Sequence, residues 1–101
     1  VDTGQHVFRR ASRGAHVDFA AIGVDVLAAA PGGFAAFSGT SFASPYVAAL
    51  AAMEYRSLDA QEALVVRESL QGNALDLGQP GRDEVYGFGL ARPRTISTAA
   101  R

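Results

Sequence analysis

Residues 38–45 read Ser-Gly-Thr-Ser-Phe-Ala-Ser-Pro. A glycine turn there delivers a hydroxyl residue to the start of an apolar run. Gly39 lacks a side chain, so a backbone or a bound molecule can come close to it. Thr40 or Ser41 can cap a helix by accepting a hydrogen bond from a backbone N–H two or three residues on. Pro45 fits a first helical turn, where its missing N–H costs little and its fixed φ suits the helix. Ser41 would then lie at the positive end of the helix, beside N–H groups without intrahelical partners. Such groups can stabilise an oxyanion that forms next to the serine oxygen. The same pattern also serves as a plain helix cap without chemistry.

Short strands and two helices must position this serine. Gln5 to Arg9 fits a short strand, and Val17–Phe19 and Val24–Ala28 fit two more, split at Gly23. Pro31-Gly32-Gly33 is a turn signal, and Phe34–Phe37 can return as the second strand of a hairpin. The first helix is expected from about Ser41 to Arg56. A second fits Ala60 to Leu70, with Asp59 as its cap and Glu62 three residues further on. Gly72 to Glu84 is rich in turn residues, and Val85 to Leu90 fits a last strand or extended segment. From Phe42 to Met53 the first helix is apolar on every face, the pattern of a helix buried on all sides.

Composition narrows the functional classes. The chain has 101 residues, 49% of them hydrophobic, with a formal net charge of −1. That length holds one small domain. No basic patch points to nucleic acid, and no acidic block points to disorder. No apolar run is long enough for a membrane span, and the N-terminus lacks a signal-peptide layout. Cysteine is absent, so disulfide and thiolate-metal chemistry are excluded. The abrupt start at Val1-Asp2-Thr3 suggests a piece of a longer protein, in which case a missing signal means little.

The stretch from Val17 to Met53, with Gly39-Thr40-Ser41-Phe42-Ala43-Ser44-Pro45 at its centre, resembles the subtilisin-like serine peptidases (subtilases). Asp76-Leu77-Gly78, Pro80-Gly81-Arg82-Asp83 and Tyr86-Gly87-Phe88-Gly89-Leu90 look like that family's closing segment. The resemblance covers nearly the whole chain, as a single segment (1–101) from the C-terminal part of the catalytic domain. It implies an α/β fold: part of a three-layer, subtilisin-like sandwich with short strands plus two main helices. It also implies that Ser41 is the nucleophile of an endopeptidase that cleaves polypeptide substrates through an acyl-enzyme.

The family's triad runs Asp, His, Ser along the chain. Its aspartate, its histidine and its oxyanion-hole asparagine all belong to motifs upstream of these residues. His6 and His16 lack the family's His-Gly-Thr context and read as surface or loop residues. The family's Ala-Pro-Gly is Ala21-Ile22-Gly23 here, so one rigid φ is lost and a softer loop is expected. Its Pro-His-Val is Pro45-Tyr46-Val47, a change expected to affect packing alone.

Alone, the chain is therefore expected to be inactive. It should leave an apolar face open for the missing N-terminal part of the domain or for self-association. The contrary expectation is that the remaining strands and the C-terminal tail close the core. The alternative function is a non-catalytic packing or protein-binding module derived from a subtilase. By the resemblance, the parent protein is expected to be secreted or attached to the cell envelope. Many subtilases bind calcium, and Asp18 and Asp25 are the carboxylates to weigh. Calcium needs six to eight oxygens, which the pattern does not collect. No metal and no cofactor is assigned, and calcium in the parent is left open. Tyr86-Gly87-Phe88-Gly89 is read as a tight extended segment with packed aromatics, not as a phosphate loop. Asp83-Glu84 is read as a solvated turn.

Overall fold

The computed structural model describes residues 1–94. Two strands and two helices follow one another: β1 (Val26–Ala30), β2 (Gly33–Phe37), α1 (Thr40–Glu54) and α2 (Ala60–Asn73). β1 and β2 form an antiparallel hairpin in which Val26 faces Phe37 and Ala30 faces Gly33. Pro31 and Gly32 make the turn, with Gly32 at φ 82. Proline followed by a positive-φ glycine is the type II pattern.

The hairpin thus lies where the turn signal puts it, but β1 begins at Val26 and not at Val24. Asp25 adopts φ 54, which interrupts extended backbone just before the strand. Gln5–Arg9 and Val17–Phe19 are not strands. The first folds into turns instead, closed by Asp2 N–H to His6 O, Gln5 N–H to Asp2 O and Ala11 N–H to Phe8 O.

Four short extended pieces lie side by side beyond the hairpin. Ala20 bridges Leu90 in parallel, and Leu90 bridges Leu75 in the antiparallel sense. On the other flank the Val1 amine donates to Ala21 O (2.8 Å) and the Gly23 N–H donates to Val1 O (3.0 Å). That is the ladder pattern of a parallel pair. The lateral order is therefore Val1, Ala20–Gly23, Gly89–Ala91, Leu75. The expected last strand over Val85–Leu90 reduces to its final residue in this ladder, with a tight Asp83–Gly87 bridge before it.

Leu50 of α1, Val66 and Leu70 of α2, and Ala91 form the buried cluster, with Phe19, Val47 and Ala51 packed against it. Each large aliphatic side chain buried this way contributes about 1.5–3 kcal/mol. A side-chain relay also joins the helices. Ser69 donates to Glu54, and the Asn73 amide donates to Ser69 O (2.8 Å).

α2 starts as expected. The Asp59 carboxylate accepts from the Gln61 N–H at 2.8 Å. Glu62 does not reach back to Asp59; its carboxylate accepts from the Arg56 N–H (3.2 Å) and ties down the interhelix loop. α2 also runs through Gly72 to Asn73, three residues past the expected end.

α1 is apolar all round, but it is not buried on all sides in this chain. Leu50 is its one buried residue, and Met53 is 76% exposed. α2 and short extended pieces cover only one side of the helix. Leu27 and Phe34 on the hairpin, Leu58 in the interhelix loop, and Leu64 and Val65 on α2 are exposed as well. The described residues leave this apolar surface open; the C-terminal tail lies outside them. Among the described residues no helix is long and apolar enough to cross a membrane.

Candidate active site

Ser41 is exposed and is the second residue of α1. The helix cap is Gly39, with no side-chain cap hydrogen bond, so neither Thr40 nor Ser41 caps the helix. The reason lies in the backbone hydrogen bonds around Gly39. The Gly39 N–H is held by Gly23 O (2.7 Å), and the Phe42 N–H closes the first turn onto Gly39 O (3.0 Å). With Gly39 as the cap, both hydroxyl residues fall inside the helix. The N–H groups of Thr40 and Ser41 meet no acceptor among the described residues, as helix geometry dictates for a first turn.

Pro45 is the sixth residue of α1, deeper than the first-turn position the sequence suggests. It brings no N–H to the Ser41 carbonyl, one turn back. The start of the helix thus presents an exposed hydroxyl with two N–H groups, unpaired among the described residues, at the positive end of the helix dipole. That arrangement suits charge developing on an oxygen beside Ser41.

Two contacts fix the approach to Ser41. Ser38 Oγ accepts from the Asp25 N–H (2.9 Å), tying the end of β2 to the entrance of β1. The rings of Phe37 and Phe42 stack on either side of the turn. This aromatic clamp was not singled out in the sequence, although two phenylalanines five residues apart around a Gly-Thr-Ser turn are visible there.

The two histidines stand elsewhere. His6 is exposed, and its ring lies 3.3 Å from Asp2 in the N-terminal turn. Asp2 also accepts from the His6 backbone N–H (2.9 Å), and that hydrogen bond is the main reason its carboxyl is held below the usual carboxylate range. His16 is exposed too, and with Thr40, Ala43, Ser44 and Val47 it lines a cleft of about 530 Å³ beneath α1. Ser41 is not part of that cleft's wall.

The carboxylates considered for metal are engaged or isolated. Asp18 Oδ1 accepts from Arg67 (2.9 Å) and from Arg82 (3.2 Å), and Arg82 also donates to Ala15 O (2.8 Å). Asp25 lies apart from them in the loop before β1. Among the described residues no group of three or more metal-ligating side chains gathers. Asp83 is not part of a solvated turn. Its Oδ1 accepts from the N–H groups of Val85 (2.8 Å) and Tyr86 (2.7 Å), while Oδ2 is buried without a partner.

The Tyr86–Gly89 segment is the packed structure its sequence suggests. Phe88 rests 5.9 Å from Phe19 and lies under the Arg82 guanidinium at 5.0 Å. Gly87 and Gly89 press against the Asp18 and Leu75 carbonyls, where no Cβ fits.

The profile of the Subtilase family matches residues 1–89. The minor extracellular protease Epr of Bacillus subtilis (strain 168) is 37% identical over 65 residues, which cover 64% of this chain and 10% of that protein. Alkaline elastase YaB of Bacillus sp. (strain YaB) is 37% identical over 78 residues, 76% of this chain and 20% of the elastase. Serotype-specific antigen 1 of Mannheimia haemolytica is 42% identical over 52 residues, 52% of this chain and 6% of the antigen. The chain thus spans a fifth or less of the length of these relatives. A family match across nearly all of its length, together with the α/β arrangement of short strands and two helices, settles its kinship: the chain belongs to the subtilase family.

Proposed function

We propose that this chain is the nucleophile-bearing, C-terminal portion of a subtilisin-like serine endopeptidase domain and that Ser41 carries the acyl group. Ser41 Oγ attacks the carbonyl carbon of a polypeptide substrate, and a histidine takes the hydroxyl proton. An aspartate orients that histidine, which then protonates the leaving amine. Water, deprotonated by the same histidine, releases the acid and restores Ser41. The Ser41 N–H and an asparagine amide hold the oxyanion. The observation that carries this reading is an exposed Ser41 beside two N–H groups that meet no acceptor among the described residues, at the N-terminal turn of α1.

The aspartate, histidine and asparagine come from the remaining portion of the domain. In subtilisin itself, removing the histidine lowers kcat by about 2 × 10⁶, a measurement on that enzyme. The 101-residue chain alone is accordingly inactive as a peptidase. Its exposed Leu27, Phe34, Met53 and Leu64 favour association with that remaining portion. The parent is a secreted or cell-envelope protein, in line with the relative whose name is an extracellular protease.

A fluorophosphonate probe tests the assignment, with the chain alone and mixed with the Asp- and His-bearing portion of the domain. Labelling of Ser41 only in the mixture, abolished by Ser41→Ala, supports it. No labelling in either sample overturns it in favour of a non-catalytic packing module.

A further inference from the structure

We propose that Gly23 is a positioning residue for Ser41, acting through a backbone clamp on the first turn of α1. The proposal rests on the reading of Ser41 as the nucleophile. Gly23 lies in the extended piece Ala20–Gly23 and is buried. Its carbonyl accepts from the Gly39 N–H at 2.7 Å. Gly39 is the cap of α1 and stands two residues before Ser41. The Gly23 N–H in turn donates to Val1 O. A chain of backbone hydrogen bonds thus runs from Val1 through Gly23 to the cap of the helix.

The contact is steric as well as polar. A Cβ on Gly23 would stand 2.7 Å from Gly39 O, 2.9 Å from the Ala43 Cβ and 3.2 Å from the Ala43 nitrogen. Two of those atoms are backbone and the third is a methyl with no freedom to turn away. Any side chain at position 23 therefore pushes the helix start outward by a few tenths of an ångström.

Gly23 does not have the positive φ found at Gly39, so its role is to give space and not to permit a special conformation. Gly39 is the reverse case. Its φ is 153, and a Cβ there would find its nearest atom 3.8 Å away, on Phe42. One glycine lets the chain bend and the other lets the helix dock. The docked helix end holds the Thr40 and Ser41 N–H groups at a set height above the Ala20–Gly23 piece. The oxyanion donor of Ser41 is thereby placed by a residue eighteen positions earlier in the chain.

The experiment compares Gly23→Ala, Ala43→Gly and Gly72→Ala with the wild-type chain. The last is a helical control, with no atom within 4 Å of the added Cβ. The amide resonances of Gly39, Thr40, Ser41 and Phe42 should shift in Gly23→Ala, and Gly39 amide exchange should quicken, while Val66 and Leu70 keep their resonances. Ala43→Gly loosens the same contact without adding a clash, so it decides the matter should Gly23→Ala fail to fold. In the mixture with the Asp- and His-bearing portion, fluorophosphonate labelling of Ser41 should slow about tenfold, a fraction of the loss expected for a full 1 Å misplacement.

Unchanged Thr40 and Ser41 amides in both clamp variants, or shifts of equal size in Gly72→Ala, overturn the proposal. Wild-type Ser41 that never labels overturns the nucleophile assignment instead, and the amide shifts still report on the clamp.

Discussion

Phe37 and Phe42 stack with ring centroids 5.3 Å apart and planes 10° from parallel, across the turn that delivers Ser41. One ring ends β2 and the other belongs to the first turn of α1. The pair therefore fastens strand to helix at the point where the chain changes direction. Replacing Phe42 with Leu keeps an apolar side chain but removes the ring–ring contact. The expected loss is about 0.5–1.5 kcal/mol, read as a lower urea midpoint at unchanged slope. An unaltered midpoint would show that the stacking contributes nothing.

Gly89 and Gly81 should respond very differently to alanine. Both have positive φ, 122 and 83. A Cβ on Gly89 would meet Leu75 O at 2.1 Å, in the ladder that closes the fold, whereas Gly81 has open space. Gly81→Ala should cost only backbone strain, about 1–2 kcal/mol. Gly89→Ala should cost more than about 4 kcal/mol, the tail reached by overpacked sites and enough to unfold a marginal domain. Equal melting temperatures for the two variants would refute the packing argument.

Acid should act on the N-terminal turn through Asp2. Its carboxyl titrates below the usual range, chiefly because the His6 backbone N–H donates to it. A depressed carboxylate pKa contributes stability that is present above the ordinary value near pH 4 and is lost as pH falls through the depressed value. His6→Ala keeps the backbone donor and should leave most of the depression. His6→Pro removes that donor and should return Asp2 to the ordinary range. Carboxyl carbon NMR titration distinguishes the two, and a full return in His6→Ala would shift the cause to the imidazole.

Ile22→Pro should stabilise the chain. Val1 grips Ala21 O and the Gly23 N–H on either side of Ile22. The Ile22 N–H itself meets no acceptor among the described residues, and the side chain is 39% exposed. Proline there removes unfolded-state freedom without breaking a bond, a gain of about 0.4–1 kcal/mol. A fall in urea midpoint would mean that the local φ does not suit proline.

Local chemistry made several features legible before any coordinates. Asp59 caps α2 because a short carboxylate ahead of an apolar-periodic run has few better uses. Pro31-Gly32 turns the hairpin because proline and a positive-φ glycine leave the backbone little choice. The Gly-Thr-Ser turn opens α1 for the same kind of reason. The position of Ser41 at the helix start was readable, and so was the family, since both depend on residues adjacent in sequence.

What escaped the sequence depends on residues far apart in it. Alanines carry β1 to Ala30 because Phe34 and Gly33 pair with them, not because alanine prefers strands. The extended pieces at Val1, Ala20–Gly23, Gly89–Ala91 and Leu75 are too short to show periodicity and exist through one another's hydrogen bonds. The apolar pattern of α1 records how much surface seeks cover, while how much cover the same chain offers depends on how few elements pack on it. Side-chain types and turn residues by themselves determined the hairpin turn, the two helices and which serine heads the first of them. Only the tertiary structure decided where that helix is seated, because its cap is fixed by hydrogen bonds and contacts with Gly23, a partner no local pattern names.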